Sequence, residues 1–166
     1  LLDRSADRMV KISAMLPSLH RLRPVLSSTH LHQRYCIPAS TSIGAAADKL
    51  HANKLTFLVV TRDEEVAGML TQRDYLRFAV HADAYAFLAG ADPREQPVSK
   101  IMTKRPDMIS LGMNTTVVQA LKSIQHKIWR HLPVVKQNKL MSIVDIRDLI
   151  LLADGGRTDD LGLSRS

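Results

Sequence analysis

The sequence predicts a mixed α/β (α+β) fold built from two similar subdomains that pack against each other. The main observation is a repeat: residues 56–75 (TFLVVTRDEEVAGMLTQRDY) and 130–149 (RHLPVVKQNKLMSIVDIRDL) share one pattern of apolar, turn and charged positions. An offset of 74 residues aligns Leu58 with Leu132 and Asp74 with Asp148, and it continues upstream without a gap. Each copy of about 60 residues is too small to bury a good core alone. Two copies at constant spacing therefore predict a paired module.

Each copy has the order strand, helix, β-hairpin, helix. In copy two, the polar residues 136–139 separate two short apolar runs, and Asn138 tolerates the left-handed conformation of a tight turn. The predicted strands are 35–37, 55–60, 66–70, 108–111, 131–135 and 140–144. The predicted helices begin after 40–42, run over 72–80 toward 88, begin after 114–116, and run from 146 to about 153. The predicted buried helix faces are Ile43, Ala46, Ala47 and Leu50 in copy one, and Val117, Ala120, Leu121, Ile124 and Ile128 in copy two.

The repeat and the composition suggest five segments: a basic leader or arm, or a transit segment (1–34), copy one (35–90), a Pro-containing linker (91–97), copy two (98–153) and a flexible tail (154–166). The net charge is +7, and no acidic residue occurs between Asp7 and Asp48. A basic leader that is poor in acidic residues resembles an organellar transit peptide. The alternatives are a solvated arm or a first helix of the fold, with Met9, Ile12, Leu16, Leu19 and Leu22 at helical spacing.

Composition excludes two classes of protein. The single cysteine, Cys36, rules out an internal disulfide framework and fits a reducing compartment. No apolar run approaches the roughly 18 residues that a membrane span requires. We therefore expect a soluble protein with no membrane partner.

Two strings carry a resemblance to a known family. The order "IMT…ISLGMNTTVVQALKSI…RHLPVV…LMSIVDIRDLI" resembles a cystathionine-β-synthase-type (CBS) domain, and "STSIGAAADKL…LTFLVV…VAGMLTQRDYL" resembles its partner in a tandem CBS pair, or Bateman module. The resemblance covers residues 35–153. It implies two CBS subdomains, each a short mixed sheet flanked by two helices, packed as a pseudo-two-fold pair. It also implies that an adenosine-containing ligand binds in the cleft between the copies.

Copy one contains the family's ligand motif in GMLTQRD, residues 68–74: a small residue, two apolar residues, Ser or Thr, two variable residues and Asp. Gly68 would let a ligand approach the strand backbone closely. Thr71 would place its hydroxyl and the first free N–H groups of a helix at a phosphate, and Asp74 would accept both ribose hydroxyls. The alternative is structural, because Thr-x-x-Asp before an apolar helix is also a capping box.

Copy two departs from this motif. Ser142 replaces the small glycine, and Asp145 stands where Ser or Thr would meet phosphate. A carboxylate near a phosphate is repelled by about 1–4 kcal/mol, although Asp145 remains a good helix N-cap. Arg147, Arg130 and His131 lie nearby and are placed to offset the repulsion. Arg130 and His131 match the basic pair that contacts phosphates in CBS proteins such as the AMP-activated kinase γ subunit. The alternative is that these two residues are a solvated edge-strand pair.

We therefore expect one competent nucleotide site and one impaired site. The predicted nucleotide-binding set is Gly68, Thr71, Arg73, Asp74, Arg130, His131, Arg147 and Asp148. No catalytic or metal site is predicted, because no Ser/His/Asp set, paired-carboxylate motif or Walker-type loop is present. His30, His32 and Cys36 are zinc-ligand types, but they lack a fourth ligand nearby, and a lead-in loop is the alternative.

The leading hypothesis is a non-catalytic regulatory module that senses AMP, ADP, ATP or a similar ligand, needs no obligatory cofactor and signals to an unidentified protein target. We also expect a homodimer, formed by apolar helix faces: residues 76–80, Leu149, Ile150 and Leu152. The expected location is the mitochondrion, with the cytoplasm as the alternative. The competing function is a basic-arm scaffold that binds nucleic acid or an acidic partner. The low aromatic content of 4% makes nucleic-acid binding the weaker hypothesis.

Overall fold

The computed structural model describes residues 11–14, 28–82, 92–125 and 129–153. The chain divides into two compact units, Leu26–Met108 and Leu1–Val25 together with Ile109–Ser166. Each unit contains one small mixed sheet with helices, so the predicted mixed fold with one sheet per copy is confirmed. In the described residues no helix is long and apolar enough to cross a membrane.

The first unit is built on a four-stranded sheet. Its strands are β1 (Cys36–Pro38), β2 (Phe57–Arg62), β3 (Glu65–Thr71) and β4 (Thr103–Lys104), in that order across the sheet. β1 runs parallel to β2, and the other pairs are antiparallel. The helices are α1 (Ser28–Tyr35), α2 (Ile43–Ala52) and α3 (Gln72–Val80), with short 3-10 turns at Pro93–Glu95, Val98–Lys100 and Arg105–Asp107. The core residues are Ile37, Ala39, Ile43, Ala46, Leu50, Leu55, Leu58, Val60, Leu70, Phe78 and Val98.

Helix α1 corrects the prediction for the entry to copy one. The sequence predicted a lead-in loop and a strand from Tyr35, whereas the chain is helical through Tyr35 and the strand begins at Cys36. The string STHLHQRY has little apolar periodicity, so it gives a weak helical signal. Tertiary contacts stabilise the helix instead: Leu31 is buried, and the Tyr35 ring stacks on Phe57 with centroids 5.3 Å apart.

The second unit repeats this plan with three described strands. They are β5 (Leu111–Gly112), β6 (His131–Lys136) and β7 (Lys139–Asp145), with β5 parallel to β6 and β6 antiparallel to β7. The helices are α4 (Val117–Ile124) and α5 (Ile146–Ala153). The core residues are Ile12, Leu111, Val117, Ala120, Ile124, Leu132, Val134, Val144 and Leu149. The strand predicted at 108–111 is only the two-residue β5, which starts at the end of the predicted range.

The two hairpins have the same register, as the repeat predicts. Val60 pairs with Gly68 and Val134 with Ser142, and each hairpin shifts register immediately after that valine. Each turn has two residues with positive φ, at positions 63–64 and 137–138. Such turns match the right-handed twist of the paired strands. The predicted turn at Asn138, with a φ of 64°, is confirmed.

The segment that precedes copy one packs into the second unit, and the segment that precedes copy two packs into the first unit. The Ile12 N–H donates to the Thr115 carbonyl at 2.8 Å, and Ile12 is fully buried in the core of the second unit. The Val98 N–H donates to the Thr41 carbonyl at 2.8 Å, and Val98 is fully buried in the core of the first unit. Thr41 and Thr115 are related by the repeat offset of 74. These lead-in segments therefore align with each other at a different offset, 98 minus 12, or 86 residues.

The domain limits proposed from the sequence, 35–90 and 98–153, remain predictions. Much of the predicted helix over 9–22, the extension of α3 toward 88 and the tail from 154 lie outside the described residues. Ile128 and the side chain of Leu152 also lie outside them. Among the predicted helix faces, Ala47 and Leu121 are half-buried, and the other described members are buried.

Candidate functional site

Thr71 and Asp74 lie in direct contact where β3 passes into α3. The Asp74 carboxylate accepts hydrogen bonds from the Thr71 N–H at 2.9 Å and from the Thr71 hydroxyl at 2.7 Å. The Asp74 N–H donates to the Thr71 hydroxyl oxygen at 3.3 Å. This reciprocal pattern is a capping box, one of the two interpretations that the sequence left open. Both of the hydrogen bonds that Asp74 accepts in the cap go to Oδ2, so the cap and a ligand contact through Oδ1 are compatible.

Gly68 has a structural role in the sheet. It pairs with Val60 on one side and with Lys104 of β4 on the other. A Cβ atom at this position would lie 2.4 Å from the Thr103 carbonyl oxygen and 3.0 Å from the Met102 sulfur. The close approach that glycine allows here is therefore made by the chain's own β4 strand. In copy two, where Ser142 is the counterpart, β7 pairs on one side only among the described residues.

Asp145 ends β7 and is almost completely buried, with 1% of its side chain exposed. Its Oδ1 accepts the Arg147 N–H at 2.9 Å, the hydrogen bond expected of an N-cap, and also the Arg147 Nε–H at 3.1 Å. Its Oδ2 accepts from Arg147 Nη2 at 2.9 Å. His131 lies directly opposite in the sheet, with its Nε2 3.7 Å from Oδ2. Arg147 therefore neutralises Asp145 inside copy two.

The pKa values of Asp145 and Arg147 reflect this ion pair. Burial alone would raise the pKa of Asp145, but the hydrogen bonds and positive charge of Arg147, with a smaller effect of His131, lower it below its ordinary value. The same hydrogen bond and charge of Asp145 raise the pKa of the Arg147 guanidinium. Both effects favour the charged pair.

The predicted site residues thus form two local groups. Copy one brings Thr71 and Asp74 together, with Arg73 exposed on the first turn of α3. Copy two brings Arg147 and His131 to Asp145, whereas Arg130 is exposed before β6 and Asp148 is half-buried in α5. Gly68 lies within the sheet, opposite Val60 rather than at the helix start.

Three basic residues beside Asp74 were not among the predicted site residues. A surface pocket of about 260 Å³ is lined by Asp74, Arg77, Phe78, His81, Lys100 and Ile101. The spacing i, i+3, i+7 places Asp74, Arg77 and His81 on one side of a helix, and this pattern could have been recognised in the sequence. Lys100 is 26 residues beyond Asp74 in the chain, and only the tertiary fold brings it to the pocket.

No metal site is formed by the described residues, since no group of three or more His, Cys, Asp or Glu could hold an ion. His30 and His32 lie on α1, and Cys36 begins β1. Trp129 is half-buried and packs against the core of the second unit.

The two copies, with matching hairpins and a capped helix after each, define a tandem α+β repeat module. The CBS domain family model matches residues 23–81 and 98–155. The chain belongs to the CBS domain family. The resemblance seen in the sequence is therefore confirmed over both copies.

Known proteins are similar to the chain over much of its length. An uncharacterised 17.7 kDa protein of Acidianus ambivalens is 34% identical over 117 residues, which are 69% of this chain and 64% of the relative. The mitochondrial CBS domain-containing protein CBSX3 of Arabidopsis thaliana is 27% identical over 70% of this chain and 54% of its own length. The crystal structure of CBSX2 in complex with AMP superposes with a TM-score of 0.60 at 22% identity, covering 74% of this chain and 90% of that one. The chain spans from about a fifth to about two thirds of the length of the curated relatives it matches.

Proposed function

We propose that this chain is a non-catalytic regulatory module that binds an adenine nucleotide, with copy one as the competent site, and signals its occupancy to a partner protein. The observation that carries the proposal is the Thr71–Asp74 pair at the start of α3 in a CBS domain. A protein that shares the fold, CBSX2, was solved with AMP. A ligand with different affinities for two conformations of the module shifts their populations, and this shift is the signal.

In copy one, Asp74 is the proposed ribose acceptor. One of its oxygens, Oδ2, takes part in the cap, and Oδ1 remains for a ligand hydroxyl. Thr71 and Arg73 flank it on the first helical turn, where free N–H groups favour an anion.

In copy two, we propose that one of the chain's own side chains occupies the position where a phosphate would bind. The Asp145 carboxylate stands there, and the Arg147 guanidinium is bound to it through both of its oxygens. The counterpart of Arg147 in copy one is Arg73, which is followed by Asp74 just as Arg147 is followed by Asp148. Arg147, Arg130, His131 and Asp148 are thus proposed to form a nucleotide site that Asp145 impairs.

Calorimetric titration of the full chain with AMP, ADP, ATP and S-adenosylmethionine tests the proposal. We expect one strong site, and we expect Asp74→Ala to weaken it by roughly 10- to 150-fold, the effect of losing a charge-assisted hydrogen bond of about 1.5–3 kcal/mol. Asp145→Thr releases Arg147 and supplies a hydroxyl. It should create or strengthen a second site, with a larger effect on ATP than on adenosine.

Matched variants separate binding from helix capping. Asp74→Asn keeps an oxygen for the Thr71 N–H but removes the charge, so it should remain folded and still bind weakly. Asp145→Asn removes the charge without the hydroxyl and should gain less than Asp145→Thr. If Asp74→Ala and Asp145→Thr both leave stoichiometry and affinity unchanged, these residues are helix caps only and the proposal fails.

Two further properties belong to the same proposal. A homodimer is supported by Leu76 and Ile150, which occupy repeat-equivalent positions on α3 and α5 and are 62% and 46% exposed. Val80 is 79% exposed near the end of α3. A mitochondrial location is supported by the CBSX3 relative. Fluorescence microscopy of a C-terminal fusion would test the location.

A further inference from the structure

The pocket beside Asp74 draws positive charge from two separate elements. Arg77 lies on α3, one turn beyond Asp74, and His81 is the C-cap residue that follows the helix. Lys100 ends the 3-10 turn that faces them. Phe78, which is buried, and Ile101 supply the apolar part of the lining. Formally, Arg77 and Lys100 carry two positive charges against the single carboxylate of Asp74.

The local hydrogen bonds leave these cations available. Asp74 directs one oxygen to the Thr71 N–H and hydroxyl, at the positive end of the helix dipole. Lys100 Nζ donates to Gln96 Oε1 at 2.6 Å. An ammonium group has three donors, so two remain on Lys100.

Basic residues in the last turn of a helix are common because they interact favourably with the helix dipole. Arg77 and His81 alone would therefore indicate no ligand. Lys100 needs another explanation, since it belongs to a different element and reaches the same pocket.

The repeat supplies independent support. Copy two keeps the acid, because Asp74 corresponds to Asp148 at the offset of 74. At the same offset Arg77 corresponds to Leu151 and His81 to Gly155, and at the lead-in offset of 86 Lys100 corresponds to Ala14. All three basic residues are therefore specific to copy one, although the fold they sit on is common to both.

We propose that this pocket binds a phosphoryl group, with Arg77 and Lys100 as its principal ligands and His81 as an additional donor. A volume of about 260 Å³ lies below the roughly 300–1,000 Å³ typical of drug-sized ligands. The pocket therefore suits a phosphoryl group rather than a whole nucleotide. The planar guanidinium of Arg77 can contact two phosphoryl oxygens at once, and Lys100 adds a point charge. The site does not require adenosine, so it goes beyond the proposed nucleotide function.

Titration of the full chain with orthophosphate, followed by ³¹P NMR, tests this site. The double variant Arg77→Leu with Lys100→Ala places the residue types of copy two in copy one. The control, Arg62→Leu with Lys122→Ala, removes the same two charges from exposed positions outside the pocket. We expect saturable binding in the wild type and the control, and affinity at least tenfold lower in the double variant. The proposal is overturned if the wild type shows no saturable binding, or if the control loses affinity equally.

Competition distinguishes the source of the phosphoryl group. If it belongs to a nucleotide held at Asp74, AMP displaces orthophosphate and adenosine does not. If it is free phosphate, both bind together. Asp74→Ala should weaken adenosine and leave orthophosphate bound. Orthophosphate binding without adenosine binding would therefore sink the nucleotide proposal alone, and adenosine binding without orthophosphate binding would sink the pocket alone.

Discussion

At the scale of single residues, Cys36 shows how burial sets the reactivity of a side chain. Burial raises the pKa of its thiol to about 11, and the positive charge of Lys49 lowers it only in part. Lys49 Nζ donates to the carbonyl oxygens of Gln33 and Cys36 at 2.7 and 2.9 Å. The Lys49 ammonium therefore points to backbone oxygens rather than to the Cys36 thiol. Because the thiolate is the nucleophile, a raised pKa makes the thiol unreactive.

We predict that Cys36 reacts slowly with Ellman's reagent in the folded protein. At pH 7–8 the thiolate fraction is small, so the rate should be at least tenfold below that of the same chain in denaturant. The rate should rise with pH toward about 11. Cys36 is the single cysteine, so the absorbance change reports it directly. Equal rates in the folded and denatured states would contradict this account.

Asp145 gives a prediction for the pH dependence of stability. Its pKa is lowered in the folded state, so the charged carboxylate stabilises the fold above the ordinary Asp pKa of about 3.9. This stabilisation is lost as the pH falls from about 5 through the lowered folded value. The free energy of unfolding, measured by urea denaturation, should therefore fall more steeply over this range in the wild type than in Asp145→Asn.

The asparagine variant is the suitable comparison because its side-chain oxygen can still accept the Arg147 N–H and cap α5. Parallel curves of stability against pH for the two proteins would show that the Asp145–Arg147 pair does not favour the folded state. His131 faces the same carboxylate. His131→Gln should therefore reduce the steepness less than Asp145→Asn does.

At the scale of elements, the contact of β3 with β4 depends on Gly68. A methyl group there meets the Thr103 carbonyl oxygen at 2.4 Å, and a backbone atom cannot move aside cheaply. Gly68→Ala should lower the free energy of unfolding by about 1–3 kcal/mol. Gly112→Ala is the control, since its nearest contact is the Thr115 hydroxyl oxygen at 3.6 Å. Thermal and urea denaturation would measure both variants, and equal losses would refute the packing argument.

Local sequence signals predicted most elements well. α3 and α5 were predicted over 72–80 and 146–153, as observed, because Thr71 and Asp145 mark their starts and apolar periodicity follows. α2 and α4 begin after Ser42 and Thr116, both inside predicted start regions. α1 was missed because its stability depends on contacts with β1 and β2 rather than on its own pattern.

At the scale of the whole molecule, the exposed apolar residues bear on assembly. Leu76 and Ile150 are exposed, but Leu149 is fully buried in the core of the second unit. The prediction that Leu149 belongs to an exposed dimer face is therefore wrong. On a helix, adjacent residues point about 100° apart, so Leu149 and Ile150 cannot share a face.

We predict a homodimer that the exposed side chains of Leu76 and Ile150 stabilise. Light scattering at tens of micromolar should give twice the 18.5 kDa mass of one chain. Leu76→Glu with Ile150→Glu should give a monomer, because charges cannot be buried unpaired in an interface. Met141→Glu is the control, since Met141 is 43% exposed but lies on β7 rather than on these helices. A monomeric wild-type mass would refute the prediction.

The amino-acid sequence was enough to predict the repeat, the family, the hairpin register and the helix starts, because these depend on local propensity and on a pattern that recurs every 74 residues. It also identified Thr71, Asp74 and Asp145, but it could not decide between capping and binding. Long-range packing placed β4 against Gly68 and buried Ile12 and Val98 in the cores of the copies they do not precede. It also brought Lys100 to Arg77 and His81. Such contacts join residues distant in the chain, and no local pattern in a single sequence encodes them.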